Sequence, residues 1–120
     1  MPAAPKDPAE FVPLKPALHL ALLLLADKPT YGVELLDRLE ARSEGRLRMN
    51  AGSLYRMIAQ LVRDGLVEPV EEAPSSPGVG APRKIYGATT LGRAVLRAEA
   101  ERQAGLVSMA RDLDLLGQDS

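Results

Sequence analysis

No cysteine occurs among the 120 residues, which excludes disulfides and thiolate metal sites and gives no sign of an oxidising compartment. Tryptophan is also missing, and aromatics make up only 3% of a chain that is 46% hydrophobic, so the core must be aliphatic. Leu, Ala and Val dominate the apolar set, which favours helices packed on helices. The longest apolar stretch, "ALHLALLLLA" at 17–26, falls short of the roughly 20 residues a bilayer span needs. The opening "MPAAPKDPAEFVP" lacks the apolar run of a signal peptide. A soluble, cytoplasmic protein is expected, with no membrane partner. Histidine occurs once, at His19 on an apolar helix, where a core or interface residue bonded to a carbonyl is expected rather than a catalytic base. No Ser/His/acid set, metal-ligand cluster or phosphate loop is visible, since "GVG" at 78–80 is too short. Neither catalysis nor a metal or cofactor is expected.

Net charge is −1, which by itself speaks against a nucleic-acid partner. Its distribution reverses that. Residues 1–45 hold five basic and seven acidic side chains, 46–93 hold seven and four, and 94–120 hold three and five. The balances are −2, +3 and −2, so the positive charge sits in the middle third. Screening confines a field to about 8–10 Å, so local charge outweighs the total next to a phosphate.

Residues 1–13 carry four of the ten prolines and read as a flexible N-terminal arm. Pro16 suits the first turn of a helix, and the apolar segment that follows is expected to be buried on several sides. A chain of this size can hardly cover such a helix alone, so Leu18, Leu22 and Leu25 are expected to face a second subunit. Thr30 can cap a second helix whose stripe is Val33, Leu36 and Leu39, with Leu35 beside it and Gly45 as its stop. "RLRM" at 46–49 suits a strand or an extended connector. Asn50 caps a third helix, 51–64, with a core stripe of Leu54, Ile58, Leu61 and Val62, flanked by Met57, and Gly65 beyond its end. "LVEPVEE" and "RKIYGAT" are two strands of a hairpin, the first confined to an edge or bulge by Pro69. The loop "APSSPGVGAP" joins them and is flexible by composition. Thr90 caps a long last helix on which Leu91, Val95, Ala98, Gly105, Met109, Leu113 and Leu116 share one stripe, interrupted by Arg102. Leu91, Val95, Ala98, Leu106, Met109, Leu113 and Leu116 are the expected dimer contacts, since no core remains for the helix to cover. The expected fold is mainly α with a small β-hairpin. A winged helix-turn-helix domain (14–90) follows the arm and leads to a C-terminal dimerisation helix (91–116) and a tail (117–120).

In that arrangement the third helix enters the DNA major groove. At 100° per residue, Gly52, Arg56, Ala59, Gln60 and Arg63 lie within about 50° of the pole opposite the core stripe. Gly52 and Ala59 remove bulk, so a groove wall can approach. Arg56 and Gln60 carry the donors that read guanine and adenine edges. Ser53 and Tyr55, at the margins, can place a hydroxyl on phosphate, and Asn50 belongs to the same tight entry. Arg83 and Lys84 follow the Gly/Pro tip of the hairpin, where the 73–84 wing can touch backbone. Glu71 and Glu72 oppose phosphate there, or pair with the two basic residues. The competing reading is a winged helix used as a protein-interaction or dimerisation module without specific DNA binding, which has no use for the Arg56/Gln60 face.

"LLLLADKPTYGVELLDRLE", "MNAGSLYRMIAQLVRDGLVE" and "APRKIYGATTLGRAVL" resemble the three signature blocks of the PadR family of transcriptional regulators, in order, across roughly residues 14–110. The most specific parts are Tyr31-Gly32, Gly52-Ser53-Leu54-Tyr55, Gly65-Leu66-Val67 and Arg83-Lys84-Ile85-Tyr86 with Thr89 and Gly92. The resemblance implies a homodimeric repressor on a palindromic operator in double-stranded DNA, with Tyr55 near the backbone. It also implies dimerisation through the C-terminal helix packed against the first helix, in the shorter branch of the family. Some shorter members bind flat drugs or phenolic acids between interface aromatics. Here the matching helices hold Leu, Ala, Val and Met, which disfavours an aromatic sandwich and leaves a small-molecule effector unidentified.

Overall fold

The computed structural model describes residues 7–73 and 83–117. Its first helix, α1 (Pro16–Asp27), begins with Pro16 in the first turn, where the missing N–H has no helical partner to lose. It buries Ala21, Leu22, Leu24 and Leu25 within the chain itself, and Leu23 is the leucine it leaves exposed. A two-residue strand, β1 (Thr30–Tyr31), precedes α2 (Gly32–Arg42). The N-cap of α2 is Tyr31 rather than the expected Thr30. Thr30 is instead buried, its hydroxyl donating to the Lys28 carbonyl at 2.8 Å and accepting from Arg38 at 2.7 Å. On α2 the inward residues are Leu35 and Leu39; Val33, expected in that stripe, is exposed, because the covered face runs through Gly32, Leu35 and Leu39 and Val33 lies off it.

Residues 43–50 are a turn and connector without strand pairing, turned by Glu44 and Gly45 at φ 56° and 80°. Asn50 caps α3 (Ala51–Arg63) as expected, accepting from the Ser53 N–H at 2.8 Å. Leu54, Ile58 and Leu61 are buried beneath α3, while Val62 lies on its flank, exposed. Gly65, at φ 78°, ends the helix in the left-handed conformation that glycine adopts without strain. Strands β2 (Val67–Ala73) and β3 (Arg83–Ala88) form the hairpin, and the antiparallel order is β1-β3-β2. The register breaks between Pro69 and Glu71 on the β2 edge, where an absent N–H disturbs the ladder least. Lys84 stands opposite Glu72 and Arg83 opposite Ala73 in that register. The expected wing tip, 74–82, lies outside the described residues.

Helix α4 (Thr90–Asp112) is capped by Thr89, one residue before the expected Thr90. Tertiary contacts select between the two threonines. The Thr89 N–H donates to the Leu66 carbonyl at 3.0 Å, and its hydroxyl donates to the Gly65 carbonyl at 2.6 Å while accepting from the Gly92 N–H at 2.9 Å. Gly92 passes so close that a Cβ there would meet the Leu66 carbonyl oxygen at 2.2 Å. Arg93 adds a bond to the Ala26 carbonyl at the end of α1, at 3.0 Å. The helix ends four residues short of the expected 116, since Leu113 is its cap and Asp114 turns to φ 63°.

Residues 7–13, expected as part of a loose arm, are docked. Pro8–Phe11 form a 3-10 turn closed by a capping box between Asp7 and Glu10. Phe11, Val12 and Leu14 pack against the same core as α1 and α4. Among the described residues no helix is long and apolar enough to cross a membrane.

Candidate nucleic-acid interface

The outer face of α3 carries Gly52, Arg56, Ala59, Gln60 and Arg63, all exposed. A Cβ added at Gly52 would meet only Asn50 and Arg56 side-chain atoms, at 3.4 and 3.6 Å, which is ordinary contact. The fold therefore does not require glycine there, although glycine costs a helix about 0.5–1 kcal/mol relative to alanine. What it provides is a surface without bulk. Two short hydrogen-bonded chains organise the polar groups. Arg56 donates to the Ser53 hydroxyl at 3.1 Å, next to the Asn50 cap. Arg63 donates to the Gln60 side-chain oxygen Oε1 at 2.7 Å, and the Gln60 amide donates to the Asp64 carboxylate at 3.0 Å. An acid, Asp64, thus stands at the far end of this face.

Tyr55 lies half-exposed at the margin of α3, with the outer end of its ring against Gly32. A Cβ at Gly32 would fall 2.7 Å from a ring carbon, so glycine is required at this position for the ring to lie there. Tyr31, Gly32, Val33, Tyr55, Lys84 and Tyr86 line a pocket of about 360 Å³ between the start of α2, the edge of α3 and the root of the hairpin. Tyr55 and Lys84, expected as DNA contacts from separate parts of the sequence, meet here. Arg83 is placed by its backbone alone, at the start of β3, one residue before Lys84. All three tyrosines of the chain gather in this pocket. Tyr31 and Tyr86 were not expected at the site; the signal available was their occurrence beside Gly32 and Lys84 in a chain with so few aromatics.

The arm expected to dimerise divides along its length. Val95, with Leu22 and Leu25 of α1, is completely or almost completely buried within the chain, so these three are core and not contacts for a second subunit. Leu18 and Leu91 are half-covered and pack on the same core. Ala98 is also half-covered. Leu106, Met109, Leu113 and Leu116 stay exposed, joined by Val107 and Leu115.

Between the two halves sits Glu99, fully buried. Its carboxylate accepts from the Leu14 N–H at 2.9 Å, from both Nε and Nη2 of Arg102, and from Gln103 at 2.8 Å. The Arg102 hydrogen bonds, helped by the Leu14 and Gln103 donors, outweigh burial and hold the carboxyl down at about 2. The Gln103 amide nitrogen also lies 3.3 Å from His19 Nδ1, so the histidine's partner is a side-chain amide and not a carbonyl. Glu99 escaped notice in the sequence; its signal was an acid four residues after Val95 on the inward face, with Arg three residues further on.

The sequence profile of the transcriptional regulator PadR-like family matches residues 21–98. A PadR-like transcription factor from Bacteroides fragilis is 27% identical with a TM-score of 0.64, over 81% of this chain and 87% of its own. A PadR family regulator from Eggerthella lenta is 26% identical with a TM-score of 0.63, over 83% and 82%. Bacillus subtilis PadR, solved in complex with operator DNA, shares the fold at 15% identity and a TM-score of 0.57, over 70% of this chain and 46% of its own. Comparison with curated proteins gave no match.

Proposed function

The chain belongs to the PadR-like family of transcriptional regulators, and on that premise we propose that it is a homodimeric repressor that sets α3 into the major groove of a palindromic operator. The observation that carries this reading is the exposed outer face of α3, with two arginines, a glutamine and two residues too small to obstruct a groove. Arg56 lies in the first half of α3, the part of a recognition helix that meets base edges. To read a base, Arg56 and Gln60 exchange surface hydrogen bonds worth about 0.5–1.5 kcal/mol net for bidentate base contacts worth about 1–3 kcal/mol. The exchange favours DNA. Tyr55 and Lys84 border the pocket beside that face and hold backbone phosphate, with Asn50, Ser53, Arg63 and Arg83 at the margins. The exposed leucines and Met109 at the free end of α4 bind the same end of a second copy, and the fold shared with a PadR solved on operator DNA supports this use of the winged helix.

The test is salt-dependent binding of the purified protein to the duplex upstream of its own gene, against a random duplex of equal length. Tighter binding to the upstream duplex that weakens steeply with salt is expected, from counterion release together with base contacts. Equal, weak binding to both removes the operator. Binding to neither, by a confirmed dimer at low salt, favours the protein-interaction module.

A further inference from the structure

We propose that Glu99 is a positioning residue that fixes the direction in which α4 leaves the DNA-binding domain, and thereby the separation of the two recognition helices. The second clause rests on the homodimeric reading above. Glu99 is the last fully buried residue of α4, and only the Gln103 side chain, which bonds to it, reaches another element beyond it. Residues 104–109 after it are all exposed, whereas Gly92, Val95, Leu96 and Glu99 before it are buried. The root of the helix is already fixed by Thr89 on Leu66 and Arg93 on Ala26. A rod held only at its root pivots. A second fixed point ten residues along, about 15 Å at 1.5 Å per residue, makes it a lever of set direction.

The chemistry at that second point suits orientation more than adhesion. A buried carboxylate is expensive to desolvate unless its lone pairs are filled, and apolar side chains of similar volume often hold a fold as well or better. Leucine at 99 would suffice for cohesion. A carboxylate with donors from Leu14, Arg102 and Gln103 instead fixes an angle, because hydrogen bonds weaken when bent and apolar contacts slide. Its donors come from the docked N-terminal segment and from α4, and Gln103 extends the set to His19 on α1. Two elements thus meet at the carboxylate, and a third is reached through Gln103. From Glu99 to Asp112 the arm runs about 20 Å, so a 10° pivot moves its end by about 3 Å, close to the ~3.4 Å rise of one base step. Two subunits pivoting together shift the half-site separation by more.

The experiment uses the full chain as wild type, Glu99→Leu and the milder Glu99→Gln. With no native cysteine, spin labels can be placed at Glu44→Cys and Val107→Cys, and labelled chains are diluted with unlabelled ones so that the distance measured is within one chain. A narrow distribution in the wild type that broadens in Glu99→Leu, with Glu99→Gln between, is expected. On operators whose half-sites are moved apart by one or two base pairs, the wild type prefers one spacing, and the variants lose that preference by about tenfold while keeping their affinity for a single half-site. A distribution as narrow in a folded Glu99→Leu or Glu99→Gln as in the wild type overturns the proposal, whatever the DNA does. A monomeric wild type removes the homodimeric reading instead, and the label distance still decides whether Glu99 sets the arm.

Discussion

Helices α3 and α4 both have an apolar and a polar part, divided in different directions. On α3 the division runs lengthwise: Leu54, Ile58 and Leu61 face inward, while Gly52, Arg56, Ala59, Gln60 and Arg63 remain exposed along the helix. On α4 it runs crosswise: the first ten residues hold the buried positions, and from Ala104 onward all but the half-covered Ala110, apolar and polar alike, are bare. A lengthwise division belongs to a helix that lies on its own core and offers a rim to a second surface. A crosswise division belongs to a helix anchored at one end. On the proposed function the two meet different partners, a groove for one and another such arm for the other.

Exchanging core and contact leucines tests that contrast most severely. Leu22→Ala empties a fully buried site and is expected to lower stability by about 2–5 kcal/mol in denaturant titration, with oligomeric mass unchanged. Met109→Glu is expected to do the opposite, leaving the fold of each subunit intact while weakening the dimer by about 2 kcal/mol or more in sedimentation at graded concentration. If Leu22→Ala dissociates a folded protein, or Met109→Glu leaves the dimer as tight as before, the division of α4 is misplaced.

Arg56→Ala probes the rim of α3. Operator affinity is expected to fall by about 1–3 kcal/mol, roughly 5- to 150-fold, while light scattering still reports the dimer. Equal affinity of parent and variant would place the recognition face elsewhere.

The smallest effect concerns acid. Because the Glu99 carboxyl is held at about 2, below its ordinary 4.5, the stabilisation it gives is complete above 4.5 and is lost as pH falls toward 2. The stability gap between wild type and Glu99→Gln is therefore expected to be constant near neutrality and to close on acidification. A gap that widens in acid would contradict the ion-paired carboxylate.

Local chemistry was legible in the sequence wherever a residue acts on its own neighbours. Asn50 caps the helix that follows it, Gly65 ends that helix, and Pro69 disturbs the strand that contains it. Distant contacts decided the rest. Thr89 and Thr90 are equally good caps locally, and the Gly65–Leu66 carbonyls, more than twenty residues away, select Thr89. Thr30 would have capped α2 had its strand pairing with Tyr86 and its bond to Arg38 not taken it. Leu22, Leu25 and Val95 read as surplus because an apolar stripe does not say which helix covers it, and here α1 and the start of α4 share one core. The exposed outer face of α3 was legible because it is local to one helix. The tyrosine pocket was not, since it takes residues from α2, α3 and β3.

The Leu66 carbonyl, which accepts from Thr89 beneath the close passage of Gly92, joins the exit of α3 to the root of α4. For anyone recombining regulators of this build, that joint sets where chains can be exchanged. A crossover between 65 and 103 would mix the two halves of an interlocked set of contacts. Beyond Gln103 the arm touches little of its own domain, so a foreign arm grafted there would change the partner chosen and leave the DNA-reading half as it was.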